Sequence, residues 1–363
     1  MDSSTPNYRP ISNLAADNAT LAAGMELPPP LPDIVRGDEF MDDPNVVEPP
    51  QLIKGVLHQG SKLIIGGGSK GRKTWAFMDL ALCISEGIPW WGWETEQGRV
   101  LYINFELQDF AMRKRMRMLR EHYNFQTKHD VSGGQFDVWN LRGHAAAIED
   151  LRPRIQDDLA NYSLVVFDPL YKMLGSRSEN DAGEMGSLMN ELEAIAVQQE
   201  VCVVIGAHYR KGGAGEGKSM DRISGSGVLA RDPDAILTMT DLENQEDEDG
   251  KIRECCSIEP VLRNFPPCET FGLYWDCPVF RDGEDWINLE RVKGKAGGQQ
   301  KFYADDLKGL FKNENEMKKR EMAVKTEEKL GCSLSTAKRL VDKAIEKDII
   351  VESKLNEGYY IQV

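Results

Sequence analysis

No apolar run in this sequence approaches the roughly 20 residues that a membrane helix needs, so a place in the bilayer is not expected. The start, MDSSTPNYRP, has no basic stretch leading into an apolar one, and no secretory signal is read from it. Cysteines are few, odd in number at seven, and scattered. Cys255 and Cys256 are adjacent, which suits neither a disulfide framework nor a C-x-x-C zinc site, so a reducing, cytoplasmic compartment is the expectation. Positive charge is also short: 44 Lys and Arg stand against 59 Asp and Glu, a formal net charge of -15. That balance excludes a broad electrostatic footprint for nucleic acid, and any DNA contact must be local. No primase or nuclease motif is present, so those activities, where needed, come from elsewhere.

What is present is a chain of 363 residues, long enough for one large core and a smaller satellite. Its hydrophobic content of 41% and charged content of 28% are ordinary for a globular protein. Residues 1–50 are rich in Pro (Pro28-Pro29-Pro30, Pro32, Pro49-Pro50) and acidic, with little periodicity. They read as a disordered arm or a partner-docking peptide. From 51 to 290 short apolar strands alternate with helical stretches: SKLIIGG, a helix over 74–85, RVLYINFE, a helix over 107–123, FDVWNL, a helix over 145–161, SLVVFDP, a helix over 182–200, then VCVVIGAHY. Continuous apolar strands between helices predict an α/β core with a largely parallel sheet covered on both faces. DAILTMT, KIRECCSIEP and FGLYWDC read as antiparallel strands, with ENQEDEDGK as a turn. A Gly- and Lys-rich linker over 291–300 precedes a small helical unit at 301–363.

Directly after Leu63-Ile64-Ile65 comes GGGSKGRKTW. A phosphate-binding P-loop, G-x-x-x-x-G-K-[ST], wraps phosphates in backbone N–H groups, sets a lysine on the β/γ-phosphates and offers a hydroxyl to Mg2+. With Lys73 and Thr74 as its last letters, Gly67 is the first glycine and Arg72 stands where the second belongs. Gly67, Gly68, Ser69, Lys70, Gly71, Arg72, Lys73 and Thr74 are therefore the candidate nucleotide-binding residues. Arg72 either points away or supports a phosphate, and Lys70 is a second nearby cation or a solvated lysine. LVVFDP ends a strand in Asp168, suited to orient Mg2+ with Thr74. LYINFE ends another in Glu106, able to polarise an attacking water, and VVIGAHY ends a third in His208, able to hydrogen-bond a γ-phosphate. Ligands of open α/β sheets bind at the strands' C-terminal edge, where all four elements converge.

GGGSKGRKTWAFMDLALCISEG, RVLYINFELQ, LVVFDPLYKMLG and VVIGAHYRKG followed by DRISGSGVLARDPDAI resemble the RepA-type branch of RecA-like P-loop ATPases in the AAA superfamily, hexameric replicative helicases of plasmids and related mobile elements. The similarity covers about 50–290. It implies a RecA-like core that binds ATP and Mg2+. Lys73 would hold the phosphates, Thr74 and Asp168 the metal, Glu106 would be the catalytic base and His208 the γ-phosphate sensor. It also implies sites between subunits of a ring, each completed by a neighbour's arginine, Arg231 or Arg222.

The loops GSRSENDAGEMG (175–186) and RKGGAGEGKSMDRISGSG (210–227) match those that line the channel of such rings and grip single-stranded DNA. Lys211, Lys218 and Arg222 would touch phosphates there, unless these are plain surface loops. RKRMRMLR (113–120) reads as a solvated or intersubunit helix face, and PWWGW (89–93) as packing. In the last unit, MKKREMAVKTEEKLG is helical up to Gly331 and a second helix follows a Ser333 or Ser335 cap. Ala337, Leu340, Val341, Ala344 and Ile345 form its apolar stripe, and a hairpin turns at Asn356-Glu357-Gly358. This pattern predicts a winged helix-turn-helix whose Lys338, Arg339 and Lys343 face duplex DNA or a protein partner. The charge there is nearly balanced, 13 basic against 12 acidic. Three functions follow: an ATP-driven helicase or translocase of a phage, plasmid or other mobile element; a DNA-dependent ATPase switch in recombination, loading or regulation; or a DNA-binding scaffold that does not hydrolyse ATP.

Overall fold

The computed structural model describes residues 33–124, 136–144, 146–209, 223, 227–283, 286–293, 302–311 and 315–362. Contacts divide the chain between Glu48 and Pro49. In the first unit the described residues form one short helix, α1 (Gly37–Met41), which buries none of its residues. The acidic first turn of α1, Asp38 and Glu39, is the charge that a helix N-terminus favours.

The second unit begins with a small hairpin, β1 (Gln51–Ile53) and β2 (Leu57–His58). Then come β3 (Lys62–Gly67), α2 (Lys73–Glu86), β4 (Val100–Asn104), α3 (Asp109–His122), β5 (Phe136–Asn140), α4 (Ile148–Leu159), β6 (Leu164–Asp168), α5 (Ala182–Gln198), β7 (Cys202–His208) and β8 (Ala235–Asp241). A short hairpin, β9 (Gln245–Glu246) and β10 (Ile252–Arg253), leads to β11 (Cys255–Leu262), β12 (Phe271–Asp276) and β13 (Val279–Asp282). Nine of these strands form one sheet in the order β13-β12-β11-β8-β3-β7-β6-β4-β5. The pairs from β8 through β5 are parallel, and those from β8 out to β13 antiparallel.

Two sequence readings change here. DAILTMT, read as antiparallel, runs parallel to β3 and meets an antiparallel neighbour only at β11. ENQEDEDGK is more than a turn: its Gln245–Glu246 forms β9, which pairs with β10 around a tight turn at 247–250.

The sheet separates two cores, as continuous apolar strands require. On one face Leu63, Ile65, Tyr102 and Val166 pack with α2, which is buried on most of its surface. On the other, Ile64, Ile103, Val165, Phe167 and Ile205 pack with α4 and α5. A Cβ on Gly206 would lie 2.9 Å from the Phe77 ring, so a glycine in β7 is what lets α2 lie close on the sheet. The tryptophans of PWWGW fill this first core: Trp90 stacks on Trp91 at 3.9 Å, and Trp93 meets Phe271 edge-on.

The segment 175–186 is less of a loop than its composition predicts. Asp181 caps α5 by accepting from the Glu184 N–H, and Arg177 pairs with Glu149 and Glu191. Residues 291–293 are likewise not a free linker. Val292 bridges Leu242, and Arg291 pairs with Asp306.

At the C-terminal end β14 (Met317–Lys318), α6 (Lys319–Leu330), α7 (Leu334–Glu346), β15 (Ile350–Glu352) and β16 (Tyr359–Gln362) share a core of Met317, Met322, Leu340, Val341, Ala344 and Ile350. Gly331 stops α6 in the left-handed region at φ 63, and Ser333 caps α7. Met317 and Lys318, read as helical, instead pair with β16, so the hairpin belongs to a three-stranded sheet.

Candidate functional site

Parallel pairing brings the chemistry to one edge. The register sets Gly67 opposite His208, and Asn104 opposite Asp168, so the C-terminal ends of β3, β7, β6 and β4 finish together. Above that edge lies a cleft of about 800 Å³, lined by Ser69, Lys70, Gly71, Arg72, Lys73 and Thr74 on one side. Glu106, Asp168 and His208 line the other.

The loop is shaped by its backbone. Lys70 and Arg72 both take positive φ, 65 and 61. A Cβ on Gly67 would meet the Met239 carbonyl oxygen at 3.2 Å, which keeps that position small. α2 opens without a side-chain cap and without an acidic residue in its first turn, so its leading N–H groups are available to an anion. Arg72 lines the cleft, yet its guanidinium is engaged by groups that do not. Its guanidinium pairs with Glu254 at 2.6 Å and lies 4.9 Å from the Trp275 ring centroid, on the antiparallel side of the sheet. The side chain that replaces glycine thus holds the loop from behind.

Lys73 is buried and donates to the carbonyl oxygens of Gly67 (2.9 Å) and Gly68 (2.8 Å), with His208 Nδ1 at 3.2 Å. Burial brings its pKa down to about 8, against the opposing pull of Asp168, Asp241 and Glu106. His208 is held below its ordinary value by burial and by the Lys73 ammonium. An ammonium only donates, so Nδ1 accepts and the ring proton sits on Nε2, where it can be offered to an anion.

Asp168 is buried, and its pKa is raised by that burial, with hydrogen bonds from Tyr102 and Thr74 working the other way. The Tyr102 hydroxyl donates to Oδ2 at 2.7 Å. A Thr hydroxyl beside a buried carboxylate fits Mg2+, which is held by one or two protein oxygens and completes its shell with phosphate and water. Among the described residues no group of three or more His, Cys, Asp or Glu could form an all-protein metal cage.

Glu106 departs from its expected place. β4 ends at Asn104, and Glu106 lies two residues beyond, in a turn built by the Asn104 side chain. Asn104 Oδ1 accepts from the N–H groups of Glu106 (3.2 Å) and Leu107 (3.0 Å), while Nδ2 donates to the Leu107 carbonyl at 2.7 Å. This turn swings the carboxylate over the cleft, where the Tyr171 hydroxyl donates to its Oε1.

Sequence reasoning missed Asn104, Tyr102 and Tyr171, and it missed Arg115. That arginine belongs to the basic run on α3, yet it lines the cleft and lies 4.8 Å from the Trp75 ring centroid. A helical count from the cleft-facing end of α3 was the available signal. Of the remaining candidates, Arg231 is exposed and not among the cleft residues, its carbonyl accepting from Arg263. Lys211, Lys218 and Arg222 lie outside the described residues. On α7 Lys338 and Arg339 are exposed and Lys343 is half-buried.

A family model described as an AAA domain matches residues 31–214, just over half of the sequence. The chain belongs to the AAA domain family. Its parallel-dominated sheet and P-loop edge fit a RecA-like P-loop ATPase core. Among solved structures, this AAA domain protein is similar to the RadB recombinase, with TM-score 0.42 and 16% identity over 62% of this chain and 91% of that one. A KaiC-like protein from Pyrococcus horikoshii gives TM-score 0.43 and 12% identity over 64% of this chain and 93% of that one. The flagellar accessory protein FlaH from Methanocaldococcus jannaschii gives TM-score 0.43 and 11% identity over 62% and 88%. No curated protein matches the sequence. No helix among the described residues is long and apolar enough to cross a membrane.

Proposed function

We propose that this protein is an ATP-driven, DNA-acting ring ATPase, a replicative helicase or translocase of a phage, plasmid or other mobile element. The observation that carries the ATPase reading is the convergence of Lys73, Thr74, Glu106, Asp168 and His208 on one cleft at the C-terminal edge of the sheet. Lys73 binds the β/γ-phosphates, exchanging two backbone carbonyls for phosphate oxygens. Thr74 and Asp168 hold Mg2+, which when bound neutralises phosphate charge. Glu106 takes the proton of the water that attacks the γ-phosphorus, and ADP leaves. His208 Nε2 donates to the γ-phosphate and reports its loss.

The DNA reading is supported by the last unit. Two helices joined by a tight turn and followed by a hairpin make the order of a winged helix-turn-helix, with Lys338 and Arg339 outward on the second helix and Lys343 beside them. In a homo-oligomeric ring, expected to be a hexamer, Arg231 or Arg222 reaches the neighbouring site. Lys211, Lys218 and Arg222 face single-stranded DNA in the channel. With a net charge of -15, such contacts are local by necessity. The domain boundaries proposed with it are an arm over 1–50, the ATPase core over 51–290, a junction over 291–300 and the winged unit over 301–363.

A fork-unwinding assay with wild type, Lys73→Ala and Glu106→Gln tests this. Strand displacement that needs ATP and fails in both variants is expected. ATP hydrolysis stimulated by DNA without displacement would replace the helicase with a DNA-dependent switch. DNA binding with no hydrolysis would leave a scaffold.

A further inference from the structure

The groups at the cleft edge are joined by a residue that the sequence pattern does not single out. After β6 the chain makes one 3-10 turn, Leu170–Lys172, directly behind Asp168. Leu170 and Met173 are buried in the α4/α5 core, so the turn is anchored on both sides of Tyr171. Tyr171 itself reaches up to the cleft. Its hydroxyl donates to Glu106 Oε1, its ring centroid lies 5.8 Å from that of His208, and Lys172 Nζ sits 5.2 Å from the ring centroid. His208 in turn contacts Lys73 at 3.2 Å.

Glu106 is exposed and its own turn fixes only the backbone. A carboxylate on a free side chain samples several rotamers, and a general base must be within hydrogen-bond reach of the proton it takes. A hydroxyl that occupies one carboxylate oxygen leaves the other pointed and free to accept from water. Burial and the Glu106 contact both raise the Tyr171 pKa, which keeps the phenol a donor.

We infer that Tyr171 is a positioning residue that fixes the rotamer of Glu106 for water activation and ties it to the phosphate-facing pair His208–Lys73. This rests on the ATPase reading proposed above. The substrate molecule it serves is the attacking water, not the nucleotide, so its effect falls on turnover and not on ATP affinity.

Steady-state ATP hydrolysis by wild type, Tyr171→Phe and Tyr171→Leu, with Glu106→Asp as a second background, tests the inference. Tyr171→Phe keeps the ring against His208 and is expected to lower kcat about tenfold, the loss of one hydrogen bond to a charged group, with KM for ATP unchanged within about twofold. Tyr171→Leu is expected to match it in kcat. In the Glu106→Asp background, where the carboxylate is withdrawn by one methylene, the same Tyr171→Phe change is expected to cost under about twofold, because the two residues act as a unit. An unchanged kcat in Tyr171→Phe, or equal losses in both backgrounds, would overturn the positioning role while leaving the ATPase reading intact. A wild type that does not hydrolyse ATP, with DNA present or absent, would instead remove the reading on which it rests.

Discussion

One buried lysine opens β3 and another opens α2, just beyond the strand's other end, and the two are used in opposite ways. At the start, Lys62 is 1% exposed and pairs with Asp232 and Glu193, while its N–H donates to Asp234 at 3.0 Å. Beyond the other end, Lys73 is 7% exposed and has no carboxylate partner among the described residues, only two carbonyls of its own loop and a histidine. A buried cation with its counterions in place is spent on holding the fold. One satisfied by neutral groups is still open to an anion, and its depressed pKa shows the cost of keeping it so.

The largest effect expected from this contrast is a double dissociation. On the proposed ATPase reading, Lys73→Ala should reduce ATP turnover by more than about a hundredfold, since the cation assigned there to the transferring phosphate is removed. It should leave the melting temperature within a few degrees. Lys62→Met should lower stability by about 2–3 kcal/mol, below the range for a fully buried pair because Glu193 and Asp232 are partly exposed, with turnover per folded molecule unchanged. Thermal melts beside turnover measurements check both.

Next in size is a pH effect at the same site. Lys73 loses its proton near pH 8 in the free protein, so ATP binding should weaken as pH rises through that value, by up to tenfold per unit. A Lys73→Arg variant should bind with little dependence between pH 7 and 9.5. Isothermal titration of ATP across that window separates the two.

A smaller effect concerns the helix that carries the loop. Asp79 on α2 is buried, and burial lifts its pKa to about 7 despite a 2.6 Å hydrogen bond from Tyr123. A carboxyl with a raised folded pKa supports the fold while protonated. That support is lost as pH rises through about 7. Asp79→Asn should therefore melt higher than wild type at pH 8.5, and the difference should shrink towards pH 5.

The smallest effect is expected at Arg72. Glycine there would relieve a positive φ, which costs a side chain of order 1 kcal/mol. It would also lose an exposed ion pair and a cation–π contact worth about as much. Melting temperature and ATP affinity in Arg72→Gly should both stay close to wild type.

These residues also mark how far the sequence could be read. The loop at 66–74, Asp168 and His208 are legible because each sits at the end of an apolar run, and parallel strands must finish at a common edge. Glu106 was expected at the end of a strand, whereas the side chain of Asn104 delivers it to the cleft from two residues beyond. The strand β8 is parallel to one neighbour and antiparallel to the other. Composition cannot show that, because β8 is apolar whichever way its neighbours run. Tyr171, Tyr102 and Arg115 were invisible for a different reason. Their roles are contacts across 65, 66 and 40 positions of sequence, to Glu106, Asp168 and Trp75 respectively, and no local pattern encodes them. The same holds for Arg72, whose partners Glu254 and Trp275 lie on strands and a junction far along the chain.

Equilibrium binding of ATP with Mg2+ to wild type, Lys73→Ala and Lys62→Met tests the contrast between the two lysines most directly. Binding lost in Lys73→Ala and retained in Lys62→Met is the predicted result. Retention in Lys73→Ala, or loss in a folded Lys62→Met protein, would contradict it.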